Sequence, residues 1–393
     1  MARPRKIFAL GVAAGVAGLL AFALEDYARG AVFVIQAADM NGPARSVAEW
    51  TSDTVLEFDT EIPWRGGRLR GRVYRPASDG RPEAPADLDE PPTLVIPGIH
   101  AEGIDESRLA QFARDVASMG RIAVAVELPD LKQYTITPRS TDMIEDAASW
   151  LSAQSGFAED GRIGLMGISF AGGLAIVAAA RGSVSPHTAF VMSFGGHGDL
   201  PRTLQYLCTG EIPGGGSLPP HDYGVAIILL GVTERVVPAD QVRPLREAIL
   251  AFLHASHVDL RDKAKGAVEF AHARALTESL PEPARTLMDY VNDRDVAALG
   301  PILLPHVTEM GRDDALSPAR WTPAFPVYLL HGTEDNVIPA AESERLAETY
   351  RTRGVDVTQL ATPLITHAEV DRSAAARAVW DLVRFWGRLL DEE

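Results

Sequence analysis

Apolar and polar positions along the chain form two kinds of pattern, which begin near residue 55. Residues 55–58 and 68–74 alternate between apolar and polar side chains, and Gly66-Gly67 between them predicts a turn. Residues 93–96 (TLVI) are continuously apolar, which is typical of a parallel strand buried on both faces. The pattern therefore predicts a hairpin that leads into a buried sheet.

After this point strand-like and helical patterns alternate along the chain. Leu109, Phe112 and Val116 lie at helical spacing, and Gly120 ends the predicted helix. Further strands are predicted over 122–128, 163–166, 189–194, 327–330 and 355–360, and further helices over 141–153, 170–180, 341–353 and 374–390. Two leading strands followed by repeated strand–helix units indicate an α/β fold, with an eight-stranded, mostly parallel sheet flanked by helices.

The connection between the sixth and seventh predicted strands is unusually long. It runs for about 130 residues, whereas a crossover needs only a dozen or so. Helical periodicity recurs within it, and helices are predicted over 241–254, 265–279 and 283–291. We expect residues 216–321 to form a helical insertion that acts as a lid over the carboxyl edge of the sheet, or alternatively a separate small domain without that role. The core then comprises residues 51–215 and 322–393.

Charge and composition exclude several classes of protein. The chain has 37 Lys and Arg against 53 Asp and Glu, a net charge of −16, which disfavours nucleic acid as a partner. The single cysteine, Cys208, excludes an intrachain disulfide framework and a multi-cysteine zinc site. His254 and His257 offer two nitrogens at helical spacing without an evident third ligand, so we expect no metal. No phosphate-binding glycine loop occurs, and no cofactor is implied.

The amino terminus has the pattern of a targeting segment. Three basic residues among the first six precede an uncharged, apolar run over residues 7–24, which as a helix would reach about 27 Å. Residues 1–30 are therefore predicted to be a signal-anchor, with the globular part of the chain on the extracytoplasmic side. The alternatives are a cleaved signal peptide, which would give a secreted or periplasmic protein, and a buried amino-terminal helix. Residues 31–50 are a connector.

A serine stands at the junction of a predicted strand and an alanine-rich helix. Residues 162–173 read RIGLMGISFAGG, so that Ser169 occupies the centre of a G-x-S-x-G-like motif whose last glycine is Ala171. A serine at such a turn is held in a strained backbone conformation that exposes its hydroxyl. The amino terminus of the following helix favours negative charge beside it.

With this motif, the chain resembles the α/β-hydrolase superfamily in its esterase, dienelactone-hydrolase and peptidase-like branch. The resemblance covers roughly residues 51–215 and 322–390, and it implies the α/β-hydrolase fold and a serine hydrolase. A serine nucleophile disfavours the dehalogenases and epoxide hydrolases of the superfamily, whose nucleophile is a carboxylate.

The resemblance also implies partners for the serine in the chain order Ser, acid, His. Asp335 lies in the loop after the seventh strand and matches the family's triad acid, and His367 lies in the loop after the eighth. The neighbouring Glu334 is expected to be solvated. Asp199, just after the sixth strand, is the alternative acid, because the superfamily sometimes places its acid there.

The turn after the third strand completes the expected site. In Ile96-Pro97-Gly98-Ile99-His100, the resemblance assigns the backbone N–H of Ile99 to the oxyanion hole, together with the N–H of Phe170. His100 is either a pocket residue or an ordinary loop histidine. The expected function is hydrolysis of a small-molecule carboxylic ester. The alternatives are hydrolysis of an amide, peptide or thioester, and a non-catalytic binding protein of the same fold. The pattern carries no signal for an oligomeric state.

Overall fold

The computed structural model describes residues 27–37, 46, 48, 50–77, 90–212, 214–365 and 376–392. Its centre is one eight-stranded sheet with the order β1-β2-β4-β3-β5-β6-β7-β8. The pairs β1–β2 and β2–β4 are antiparallel, and all other neighbours are parallel. The strands are β1 (Thr54–Trp64), β2 (Gly67–Ala77), β3 (Thr93–Ile96), β4 (Ala123–Val126), β5 (Ile163–Ile168), β6 (Thr188–Phe194), β7 (Val327–Gly332) and β8 (Val357–Thr362).

The predicted α/β architecture with an eight-stranded, mostly parallel sheet is confirmed. The leading hairpin is longer than predicted, because β1 and β2 remain paired from Thr54↔Ala77 to Trp64↔Gly67. The α-helices that follow the hairpin are α1 (Ser107–Ser118), α2 (Pro129–Lys132), α3 (Pro138–Ser152), α4 (Phe170–Ala180), α5 (Leu200–Thr209), α6 (Tyr223–Val236), α7 (Ala239–Arg261), α8 (Lys263–Glu278), α9 (Ala284–Asn292), α10 (Val296–Met310), α11 (Ala341–Thr352) and α12 (Ala376–Leu390).

The core lies on both faces of the sheet, because successive side chains of a strand point to opposite sides. Val95 and Met166 belong to a cluster with α1 and α12, whereas their neighbours Leu94 and Leu165 belong to a cluster with α3 and α4. Burial on both faces explains why β3, β4 and β5 have continuous apolar sequences rather than alternating ones.

The long connection between β6 and β7 is helical in its described part. Its described residues form the helices α5 to α10 and one isolated β-bridge, between Glu211 and Ser217. The helices α7 and α8 pack along each other, while α10 packs against α5 and α6. The helices expected at 241–254, 265–279 and 283–291 correspond to α7, α8 and α9.

The two ends of the described chain meet on one side of the molecule. Residues 27–37 are helical, and the buried ring of Phe33 lies 4.1 Å from that of Trp386 in α12, centre to centre. The expected boundary after residue 30 thus falls inside a described helix. The apolar run over residues 7–24 lies outside the described residues. Among the helices that are described, none combines the length and the apolar character that a membrane span requires.

Candidate active site

Ser169 lies at a sharp turn between β5 and α4. Its backbone has φ of 53° and ψ of −134°, and its N–H donates to Phe194 O at 2.7 Å, which fixes the end of β5 against β6. The turn requires a glycine at 167, because a methyl group there would lie 2.4 Å from Ala171 O. Ala171 itself is fully buried. The motif therefore forms the sharp strand–turn–helix elbow that the sequence predicts, with alanine tolerated at its last position.

The turn after β3 touches this elbow. A methyl group at Gly98 would lie 3.0 Å from both Ile168 O and Ser169 Cβ, so any larger residue would require the two turns to shift apart by a few tenths of an ångström. Ile99, the next residue, lines the same cleft as Ser169 and Phe170. Phe170 is the first residue of α4, so its N–H has no acceptor within the helix. The structure thus brings the two residues expected to supply oxyanion-hole N–H groups to the cleft that contains Ser169.

Asp335 follows the end of β7 and is 1% exposed. Its Oδ1 accepts hydrogen bonds from Val337 N at 2.8 Å and Ile338 N at 3.0 Å, and its Oδ2 lies 3.4 Å from His331 Nε2. The backbone therefore holds this carboxylate in one orientation. Two of its neighbours, Val337 and Ile338, line the cleft with Ser169.

His367 lies outside the described residues. The described chain before it ends at Ile365, shortly after β8. At the carboxyl ends of the adjacent strands β7 and β8, Gly332 pairs with Thr362, and Thr333 N donates to Thr362 O at 3.1 Å. The loop that contains Asp335 and the segment that leads to His367 therefore leave the sheet side by side at the same edge.

Asp199, the alternative acid, has a structural role in the same region. Its Oδ1 accepts from Arg202 N at 3.1 Å and caps the amino terminus of α5. Its own N–H and that of Gly198 both donate to Glu342 at 3.0 Å. Glu334, the neighbour of Asp335, is exposed.

A cleft of about 430 Å³, including its open mouth, lies beside Ser169. The core contributes Ile136 and Ile338, and α5 and α6 contribute a row of aliphatic side chains. Tyr223, at the start of α6, also lines the cleft. Burial, followed by the negative field of Asp335, raises the pKa of its hydroxyl, which therefore stays protonated.

The strand order and the elbow together decide the fold. A mostly parallel sheet starts with an antiparallel hairpin, carries a strained serine directly after β5, and carries a buried acid after β7. The chain has the α/β-hydrolase fold.

Solved structures of this fold resemble the chain at low sequence identity. Neither a protein-family model nor a curated protein matches the sequence. An esterase from the archaeon Pyrobaculum calidifontis is 16% identical over 87% of this chain and 83% of its own, with a TM-score of 0.45. A thermostable esterase from Pseudomonas putida ECU1011 is 17% identical over 88% of each chain, with a TM-score of 0.46. Similarity of this degree carries no information on the substrate.

The α/β-hydrolase core and the helical stretch are joined beside the turn after β3. Arg261, at the end of α7, donates two hydrogen bonds to the carboxylate of Glu102, at 2.6 and 2.5 Å. His257 Nε2, one turn earlier, lies 3.3 Å from the same carboxylate. The sequence pointed to His257 only as a candidate metal ligand and gave no signal for Glu102, because Arg261 and Glu102 are 159 residues apart. Within the described residues, no group of three or more His, Cys, Asp or Glu is placed to hold a metal ion.

His100 belongs to this contact and is not among the described residues that line the cleft. Its ring meets that of His257 edge to face at 4.5 Å, and its Nδ1 accepts from Glu102 N at 3.3 Å. Burial and the neighbouring His257 lower the pKa of His100 to about 4, against the opposing fields of Glu106 and Glu102. His100 is therefore neutral at physiological pH.

One further histidine, which was not identified from the sequence, packs against the elbow. The fully buried ring of His197 stacks on that of Phe170, with centres 4.5 Å apart and planes 9° apart. Its Nε2 lies 2.7 Å from Leu316 O, which comes from the far end of the helical stretch. The sequence signal was a histidine directly after two glycines at the end of β6.

Proposed function

We propose that the protein is a serine hydrolase that cleaves carboxylic esters through an acyl-enzyme intermediate, with Ser169, His367 and Asp335 as its catalytic triad. The conformation of Ser169 is the observation that carries the proposal. A non-glycine residue at φ of 53° and ψ of −134° is costly, and such strain is found mainly where function needs it. Here it presents the serine to an apolar cleft and to the oxyanion turn at Gly98.

In the first half of the reaction, Ser169 Oγ attacks the carbonyl carbon of the ester while its proton passes to His367. The negative charge that develops on the carbonyl oxygen is stabilised by the N–H groups of Ile99 and Phe170 and by the amino terminus of α4. When the tetrahedral intermediate collapses, the C–O bond to the alcohol breaks and the alcohol takes the proton from His367.

In the second half, water gives a proton to His367 and attacks the acyl-enzyme. Collapse of this second intermediate releases the carboxylic acid and returns the proton to Ser169. Asp335 holds the imidazole in the required tautomer and stabilises its protonated form. Its hydrogen bonds from Val337 N and Ile338 N hold the carboxylate in the orientation that this task requires.

A fluorophosphonate probe and p-nitrophenyl acetate test the proposal directly. The wild-type protein should be labelled and should hydrolyse the acetate, whereas Ser169→Ala should do neither. His367→Ala should lower kcat at least 1,000-fold, while His187→Ala, on an exposed histidine, should leave it unchanged. A wild-type protein that is neither labelled nor active on any short ester would leave only a binding role for the fold. Matched amide and thioester substrates distinguish the other hydrolase activities.

The acid is assigned by comparing two carboxamide variants. Asp335→Asn should lower kcat by about 10⁴-fold, because the amide favours the wrong tautomer of the histidine. Asp199→Asn should reduce kcat less than tenfold, because its side chain caps α5. The reverse order of effects would reassign the acid to Asp199.

We further propose that the segment before residue 27 anchors the chain in a membrane, with the catalytic domain on the extracytoplasmic side. The support is the basic tip followed by the apolar run over residues 7–24. Fractionation of cells that express the full chain should recover the protein in the membrane, and a chain that begins at residue 27 should be recovered in the soluble fraction. Recovery of a shortened chain outside the cells would indicate a cleaved signal peptide instead.

A further inference from the structure

Two helices that follow β6 supply one wall of the cleft beside Ser169. Leu200, Leu204 and Leu207 of α5 line the cleft at helical spacing, and Ile227 and Ile228 of α6 line it from the adjoining helix. The two helices approach closely, because a methyl group at Gly224 of α6 would lie 2.6 Å from Leu207 Cδ2. This wall is a continuous aliphatic surface.

The cleft offers little to a polar or charged group. Of the described residues that line it, none has a charged side chain, and the only hydroxyl groups are those of Ser169, Thr203 and Tyr223. The Thr203 hydroxyl already donates to Asp199 O at 3.0 Å. Burying a carboxylate or ammonium group against this wall without a partner would be strongly unfavourable. Burying methylene groups there would be favourable, because each removes apolar surface from water.

We infer that α5 and α6 form the acyl-binding wall, and that the enzyme selects esters of uncharged aliphatic acids whose chains contact this wall at Ile227. This inference rests on the proposed serine-hydrolase function. The residues that select the acyl chain then lie in α5 and α6, at the start of the helical stretch. They do not lie in α7, α8 or α9, which make up much of the length of that stretch.

Chain-length selectivity gives a quantitative expectation. Each methylene group buried in the transition state should raise kcat/KM about three- to fourfold until the cleft is full. The profile from p-nitrophenyl acetate through butyrate to hexanoate should therefore rise steeply and then level off or fall. A p-nitrophenyl ester of succinate, which carries a free carboxylate, should react at least 30-fold more slowly than the butyrate.

Substitutions at Ile227 test the wall itself. Ile227→Trp should lower kcat/KM for the hexanoate at least tenfold more than for the acetate. Ile227→Ala should extend the profile towards longer chains. Glu234→Ala, on the exposed side of the same helix, is the matched control and should leave the profile unchanged. Labelling by a fluorophosphonate probe reports whether each variant retains a folded elbow.

The outcomes separate this inference from the function on which it rests. A flat chain-length profile, or an Ile227→Trp variant that loses acetate and hexanoate activity equally while labelling normally, would overturn the acyl-wall assignment and leave the serine hydrolase intact. If Ile227→Trp does not fold, Ile227→Ala decides, because an unchanged length optimum would refute the role of Ile227. Absence of hydrolysis and labelling in the wild-type protein would instead overturn the proposed function.

Discussion

Ser169, the proposed nucleophile, has an unfavourable backbone conformation. This conformation lowers the stability of the folded protein. At φ of 53° and ψ of −134° the side chain of an L-residue is strained, typically by about 1–3 kcal/mol. The surrounding contacts enforce this conformation, because β5 is fixed to β6 on one side and Gly167 packs against α4 on the other.

Two substitutions of Ser169 should therefore differ in stability while both abolish activity. Ser169→Gly relieves the strain, whereas Ser169→Ala keeps it. After allowance for the greater freedom of glycine in the unfolded chain, we expect the glycine variant to be about 1 kcal/mol more stable than the alanine variant. Urea denaturation of the two proteins measures this difference. A less stable glycine variant would show that the turn is not strained.

His100 should make stability depend on pH. Burial and His257 lower its pKa in the folded protein to about 4, whereas the unfolded chain titrates near 6.5. Between these two pH values the unfolded state binds more protons than the folded state. The contribution of neutral His100 to the free energy of unfolding is therefore complete above pH 6.5 and is lost as the pH falls towards 4.

Comparison with His100→Asn isolates this contribution. The asparagine does not titrate, and its side-chain oxygen can still accept from Glu102 N. The free energy of unfolding of the wild-type protein should fall relative to the variant by about 1–2 kcal/mol between pH 6.5 and 4, after allowance for partial solvent exposure. Parallel pH curves for the two proteins would contradict the prediction.

At the scale of elements, α6 and α10 were not predicted from the sequence, for different physical reasons. The sequence of α6 (YGVAIILLGVTERV) is apolar nearly all round, and it lacks the one-sided periodicity that predicts a helix because it is buried between α5, α7 and α10. The helix α10 contains Pro301 and Pro305, which normally end helices. By contrast, α7 and α11 have an exposed face, and their periodicity predicted them.

The contact between α7 and the turn after β3 should make a small, salt-sensitive contribution to the stability of the folded protein. Glu102→Gln removes the negative charge that both Arg261 and His257 contact. It should lower the free energy of unfolding by about 0.5–1 kcal/mol, since the Glu102–Arg261 pair is only partly buried. The difference from the wild-type protein should shrink in high salt. The matched control is Glu247→Gln, in the exposed pair with Arg243 on the same helix, which should have no effect. Equal effects of the two substitutions would remove any special role for Glu102.

At the scale of the whole molecule, the sequence predicted what local patterns determine. It predicted the number of strands, the parallel sheet and the elbow, because strand burial and the strand–turn–helix motif are properties of short segments. It did not place residues 31–37 or identify the Glu102 contact. Both depend on which distant segments meet, and that is decided by packing of the complete chain.

The helix at residues 27–37 should contribute to the stability of the whole domain. Phe33 is fully buried against Trp386 and Phe112, so Phe33→Ala should lower the free energy of unfolding by about 3–5 kcal/mol. Val379→Ala, at an exposed position of α12, is the control and should change it by less than about 0.5 kcal/mol. Chemical denaturation measures both, and a small effect of Phe33→Ala would mean that this helix is not part of the cooperative unit.

The meeting of the chain ends also determines where any amino-terminal tether would be attached relative to the cleft. Arg29 contacts Glu90 and Asp391, and the buried Arg121 donates to Leu390 O, so both described ends lie where β3 and β4 begin. Ser169 lies where β5 ends, about 20 Å away along six strand residues. If the segment before residue 27 is a tether, it leaves from the amino edge of the parallel strands, whereas the cleft lies at their carboxyl edge. The length of the sheet therefore separates Ser169 from the point of attachment.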